Sequence, residues 1–147
     1  MTKVVSEKDR NLVLESCGFE VGEVSYLDED CSNFLEQIKK GFNRNYKVFI
    51  WNFSGKLELE KYANRFKTMV QDNPVFRTVY LYQNFEIPIR VVDQKTKLQF
   101  PVMDLRKFTV ERQKLVLRSA AAAQSRRLYD PQVDYPIRIS AYITSDS

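Results

Sequence analysis

The chain has 147 residues, 44% apolar and 29% charged, with 23 Lys and Arg against 19 Asp and Glu for a net charge of +4. That balance fits one soluble globular domain, which buries roughly 70% of its unfolded surface and needs no staples, and it excludes a disordered, collagen-like or solenoid chain. Histidine is absent, which excludes imidazole bases, Ser–His–Asp and Cys–His nucleophile systems and the common zinc sites for this chain acting alone.

Ser6 opens a first helix, with Asp9 three residues on in a capping-box arrangement and Gly18 as its stop. Phe19 to Leu27 alternates imperfectly and reads as extended. Asp28, Glu29 and Asp30 place negative charge at the start of a second helix, whose apolar stripe is Phe34, Leu35 and Ile38 and whose end is Lys39-Lys40-Gly41. Tyr46 to Phe53 is rich in aromatic and β-branched residues between Asn43/Asn45 and Ser54-Gly55, which predicts a buried strand. After a turn at Ser54-Gly55-Lys56, the segment Leu57 to Asp72 spaces Leu59, Tyr62, Ala63, Phe66, Met69 and Val70 as an amphipathic helix, stopped by Asn73-Pro74.

Phe76 to Asn84 reads as a second strand. Ile87 to Val92 is extended, with Pro88 suggesting an edge or a bend. Leu98 to Leu105 is a shorter extended piece. Thr109 to Arg127 is the longest helix, through the Ala120–Ala123 tract, and Tyr135 to Ile143 closes as a strand with near-strict alternation. The order predicts a single α+β domain over residues 1–147, a mixed sheet with helices packed on it, with parallel pairing allowed where strands connect through helices. Four glycines leave no Gly-rich phosphate loop.

Arg106, Lys107, Arg112, Lys114 and Arg118, with Arg126 and Arg127 beyond, form the densest basic stretch, interrupted by Glu111. It reads first as a solvated helix face and second as a phosphate-tracking surface; nucleic acid is not the expected partner. Cys17 and Cys31 match no metal-ligand spacing and are expected as reduced thiols in a cytoplasmic protein, a single disulfide being the other reading. The N-terminus shows no apolar core of a signal peptide, and no stretch reaches the ~18 apolar residues that span a bilayer.

Asp28, Glu29 and Asp30 lack the alternating spacing of a calcium loop and read as helix N-terminal charge. Asp130 and Asp134 flank Pro131 and read as loop residues. Arg77 opens a strand, where a buried guanidinium needs carboxylate or carbonyl partners; Asp104 and Asp130 are the candidate partners for a structural salt bridge. Arg77, Asp104 and Asp130 are therefore structural candidates, with no catalytic, cofactor or metal residue assigned.

Four segments resemble, in order, the N-terminal lobe of nonribosomal peptide synthetase condensation domains, part of the superfamily with the chloramphenicol acetyltransferase-like fold. Val48-Phe49-Ile50-Trp51-Asn52-Phe53-Ser54-Gly55-Lys56-Leu57 is similar to the family's strand and Ser-Gly-x-Leu. Val70-Gln71-Asp72-Asn73-Pro74-Val75-Phe76-Arg77-Thr78-Val79-Tyr80 is similar to the element His-x-x-Leu-Arg-Thr-x-Phe, with Asn73 in the place of His and with Arg77 and Thr78 intact. Val102-Met103-Asp104-Leu105-Arg106 resembles the x-x-Asp-Leu before a long helix. Arg127-Leu128-Tyr129-Asp130 with Pro136-Ile137-Arg138-Ile139 resembles Pro-Phe-Asp-Leu … Pro-Leu-Leu-Arg.

The resemblance covers about residues 46–147. It implies one lobe of an acyltransferase used in nonribosomal peptide or polyketide biosynthesis, with Arg77 structural within that lobe. The family's His-His-x-x-x-Asp-Gly motif follows one strand beyond the strand resembling Ile137–Ile143, and this chain lacks it. The resemblance thus implies a non-catalytic lobe or fragment, inactive alone and without cofactor, whose partners are an acyl or peptidyl carrier protein or a C-terminal lobe. It also predicts an open edge on the last strand. The other reading is a small cytoplasmic interaction or regulatory module, with Tyr80, Tyr82, Phe85 and Tyr142 as a partner surface.

Overall fold

A computed structural model describes residues 3–41 and 46–146, without the side chains of Asp30, Cys31, Phe34 and Ile38. The apolar stripe expected of Phe34 and Ile38, and the boundary expected at Asn43 and Asn45, lie outside the described residues. The architecture is mixed α+β: four helices and two small sheets are described.

Helix α1 (Glu7–Ser16) starts where the cap predicts, Ser6 Oγ accepting from the Asp9 N–H at 3.1 Å. Asp9 is too short to return the second bond of a capping box. The Tyr26 hydroxyl supplies it instead, accepting from the Ser6 N–H at 3.1 Å and donating to Asp9 Oδ2 at 2.5 Å. At the other end Cys17, in extended conformation, closes the helix, and Gly18 does not take the left-handed form expected of a stop.

Strand β1 (Val21–Tyr26) carries that tyrosine and pairs antiparallel with β3 (Ile89–Asp93), which pairs antiparallel with β2 (Thr78–Leu81). The sheet order is β1-β3-β2. Pro88 therefore precedes a central strand rather than marking an edge. It sits one residue before the ladder, where its missing N–H costs nothing and its carbonyl accepts from the Leu27 N–H at 2.9 Å. Gly22 lies in the irregular part of the β1 register, and a Cβ there would meet the Val92 carbonyl at 3.1 Å. Val5, Val13, Val79, Leu81, Ile89 and Val91 close the core between α1 and this sheet.

The outer edge of β2 is not left for another strand. The Tyr80 N–H donates to the Pro131 carbonyl at 2.7 Å, and Gln132 Oε1 accepts from the Tyr82 and Gln83 N–H groups at 3.3 and 3.1 Å. The turn at 130–134 thus covers the edge.

Helix α2 (Glu29–Lys39) buries Leu35, and helix α3 (Leu59–Asp72) buries Val70 with Phe66 and Met69 half-buried beside it. Asn73 ends α3, and Pro74–Arg77 form one 3-10 turn. The strand predicted from Phe76 consequently begins at Thr78, whose Oγ1 donates to the Pro74 carbonyl at 2.7 Å. A second sheet comprises β4 (Val102–Asp104) and β5 (Ala141–Ile143), parallel and joined through α4 (Val110–Arg126). Parallel pairing through a helix is what the element order allowed. The predicted strands over 98–105 and 135–143 are shorter than expected, because only their last parts face each other in register.

The largest correction concerns Tyr46 to Phe53. It forms no ladder: among the described residues its sole backbone hydrogen bond is Tyr46 N–H to the Arg127 carbonyl at 3.4 Å. Phe49, Ile50, Trp51 and Phe53 are 71, 68, 68 and 60% exposed. A strand of such composition is buried only when sheet partners flank it, and none is described here. The whole chain exposes 10843 Å², whereas a compact monomer of this mass exposes about 7,900 Å².

Candidate functional site

The open segment forms one wall of a cleft of about 1740 Å³. Residues of α3, of the 97–101 stretch, of α4 and of the 132–146 stretch complete it. Aromatic rings line it because helical spacing on α3 turns Tyr62 and Phe66 to the same side, where both meet Phe100 edge-on at 6.1 and 6.3 Å. Phe53 joins the row against Tyr62 at 6.2 Å. Phe49 and Trp51 stack on each other, 6.1 Å apart and 15° from parallel.

Tyr46 anchors the start of the segment. Its hydroxyl donates to the Tyr135 carbonyl at 2.9 Å, its ring meets Tyr129 edge-on, and the Arg138 guanidinium lies 5.0 Å above it. Burial, reinforced by Asp134, pushes the Tyr46 phenol well above its ordinary pKa, so it remains a donor.

At the first sheet the cleft reaches Asp93, which is 1% exposed. Tyr135 donates its hydroxyl hydrogen to Asp93 Oδ2, and the Lys95 N–H donates to Oδ1 at 3.0 Å. Burial, then the Asp93 hydrogen bond, pushes the Tyr135 phenol upward. Burial, then the Asp93 charge, also raises the Cys17 thiol, which is free. Every resolved shift at these groups moves phenol or thiol away from its reactive anion at neutral pH. The arrangement is suited to holding apolar surface and has no activated nucleophile among these groups.

The three structural candidates lie apart. Arg77 bonds neither Asp104 nor Asp130. Its Nη1 donates to the Asp93 main-chain carbonyl and its Nη2 to the Gln71 carbonyl at 3.1 Å, while the buried Nε has no partner among the described residues. Two carbonyls thus take the place of the expected carboxylate. Asp104 instead accepts from its near neighbour Arg106, whose Nη2 is 2.6 Å away and whose Nη1 reaches Asp146. Those bonds hold the Asp104 carboxyl at about 2. Asp130 organises its own turn: Oδ1 accepts from the Gln132 N–H at 3.0 Å, and its N–H donates to Asp134 Oδ2 at 3.0 Å.

On α4, Arg112, Lys114 and Arg118 are exposed and make no ion pair among the described residues, as on a solvated helix face. Tyr80, Tyr82, Phe85 and Tyr142 are half-buried; Phe85 packs on the core, and the most exposed aromatic residues among those described are Phe49, Trp51 and Phe53. Sequence reasoning passed over Asp93, Tyr135 and Gln113. An acid directly after Val91-Val92 at the end of an extended segment is the visible signal for Asp93; nothing local marks the other two. No described helix is long and apolar enough to cross a membrane. No protein-family model matches the chain, and no curated protein sequence matches it significantly.

Proposed function

We propose that this chain is a scaffold lobe of a condensation or acyltransferase unit in nonribosomal peptide or polyketide biosynthesis, of chloramphenicol acetyltransferase-like fold. It works in the cytoplasm, lacks the His-His-x-x-x-Asp-Gly base and is inactive alone. Its partners in this reading are a C-terminal lobe bearing that motif and an acyl or peptidyl carrier protein. The reading rests on the resemblance over 46–147. The observation that carries it is β5, which is paired with β4 on one side and with no described strand on the other. An open edge at this strand is what the resemblance predicts. Gly55, with φ +94°, bends the chain ahead of α3 in the place of the family's Ser-Gly-x-Leu, although no strand precedes it here.

The test mixes the purified chain with separately produced C-terminal lobes of several condensation domains, each beginning at the strand before the motif. A one-to-one complex on size exclusion, with amide formation from an acyl-pantetheine thioester and an amine, is expected. The chain alone gives none. Amide formation by the chain alone, or no complex with any lobe, overturns the reading.

A further inference from the structure

The exposed segment at 46–53 has a specific self-complementary pattern, and we infer that it is the interface of a symmetric homodimer in which two copies pair this segment antiparallel about a two-fold axis. This inference goes beyond the acyl-transfer reading and does not depend on it.

Four observations carry it. First, residues 47–53 have no backbone hydrogen bond to any other described residue, so no ladder partner for their N–H and C=O groups is described. Second, the segment contains no Pro and no acid, and Lys47 is its one charge. Nothing in it repels a second copy, and charged or Pro gatekeepers are how edge strands normally avoid self-pairing. Third, the adjoining cleft of about 1740 Å³ is larger than the ~300–1,000 Å³ of small-ligand pockets and suits a polypeptide occupant. Fourth, the area sets the strength. Aromatic residues bury ~150–250 Å² each when covered, so Phe49, Trp51 and Phe53 at their present exposure, with Ile50 and Val48, offer at most roughly 600 Å² per protomer over both faces. That is below the about 800 Å² per partner of a standard interface, so the dimer is a weak, concentration-dependent one.

The ring geometry selects the register. Phe49 and Trp51 stack, so they share a face two residues apart. With the axis through Ile50, Phe49 lies opposite the partner's Trp51 and Trp51 opposite the partner's Phe49. The four rings then form one cross-strand aromatic cluster. Lys47 falls opposite the partner's Phe53, placing the one charge against a ring face rather than against its like.

Trp51 is the single tryptophan of the chain, so intrinsic emission reads this surface directly. Sedimentation equilibrium and tryptophan emission are followed from low micromolar to several hundred micromolar. The expected result is a monomer–dimer equilibrium with emission moving to shorter wavelength as dimer forms. Ile50→Lys places two cations face to face on the axis and touches no described core residue. It is expected to stay monomeric with exposed-type emission at every concentration and an unchanged far-UV circular dichroism spectrum. Ile50→Glu alone behaves likewise, and an equimolar mixture of the two variants dimerises again. A wild-type chain that stays monomeric, a dimer indifferent to Ile50→Lys, or assemblies beyond dimers overturns the proposal. So does a Lys/Glu mixture that stays monomeric.

Discussion

Tyr135 donates its hydroxyl hydrogen to the buried carboxylate of Asp93, tying the segment after the 130–134 turn to the last residue of the central strand. The same residue's main-chain carbonyl accepts from Arg77, and its other carboxylate oxygen from the Lys95 N–H. Asp93 is thus a node joining β3, the 3-10 turn and the C-terminal stretch. Tyr135→Phe keeps the ring and removes one donor from a buried acceptor. Leaving such an acceptor unpaired costs about 1–3 kcal/mol. Urea denaturation of Tyr135→Phe should show that loss with an unchanged m value; a midpoint equal to wild type would mean the bond contributes nothing.

Gln113 holds the second sheet in a comparable way. It is buried on α4, and its Nε2 donates to the carbonyls of Leu105, Phe108 and Thr144 at 3.0, 3.2 and 3.1 Å. One amide therefore closes the start of its own helix and fastens the stretch beyond β5. Gln113→Met, of similar length, takes this donor from the Phe108 and Thr144 carbonyls, while the Leu105 carbonyl keeps the Phe108 N–H, and should lower stability by about 1–3 kcal/mol. Hydrogen exchange should locate the effect, with faster exchange at the Leu105 N–H, which donates to Ile143 at 2.8 Å. Gln113→Glu should be worse than Gln113→Met, since it turns acceptor oxygens toward acceptor oxygens.

These two side chains also show what the sequence conceals. Local signals locate the four described helices: the Ser6 cap, the charge at 28–30, the apolar spacing over Leu57 to Asp72 with its Asn73-Pro74 stop, and the Ala-rich stretch after Thr109. Central and edge strands are not separated by local signals, so Pro88 suggests an edge or a bend while Ile89, one residue on, lies in the central strand. Tyr46 to Phe53 has every property of a buried strand except a neighbour, and neighbours are a tertiary fact. The candidate site suffered more. Arg77 was legible as a residue needing partners, but its carbonyl partners carry no sequence signature. Gln113 looks like any polar helix residue until three carbonyls converge on it.

Acid should weaken the end of β4 in a defined range. Hydrogen bonds from the Arg106 side chain and main chain lower Asp104 from an ordinary value of 3.8 to about 2. A carboxyl depressed in the folded state stabilises the fold fully above its unfolded pKa and loses that contribution as pH falls through its folded one. The loss therefore runs from about pH 4 down to about pH 2. Asp9, lowered chiefly by the Tyr26 hydrogen bond, adds in the same direction. Asp104 is exposed and Asp9 half-buried at the surface, so the effect of each is small and reduced by salt. Thermal melts across this range should show a shallower pH dependence for Asp104→Asn than for wild type, and an identical dependence would contradict the assignment.

Cys17 should be a slow thiol. It sits half-buried after α1, where burial first and the Asp93 charge second raise its pKa above the ordinary 9.0. Alkylation proceeds through the thiolate, so a raised pKa reduces the reactive fraction at any pH below it. In a Cys31→Ser background, which leaves Cys17 as the one thiol, iodoacetamide at pH 8 should modify the folded protein several-fold more slowly than glutathione. Unfolding in urea removes both causes together and should bring the rate to that of the free thiol. Asp93→Asn separates them, removing the charge while leaving most of the burial, and should recover the smaller part of the deficit. A folded-state rate equal to that of glutathione would mean that the thiol is neither shielded nor influenced by Asp93.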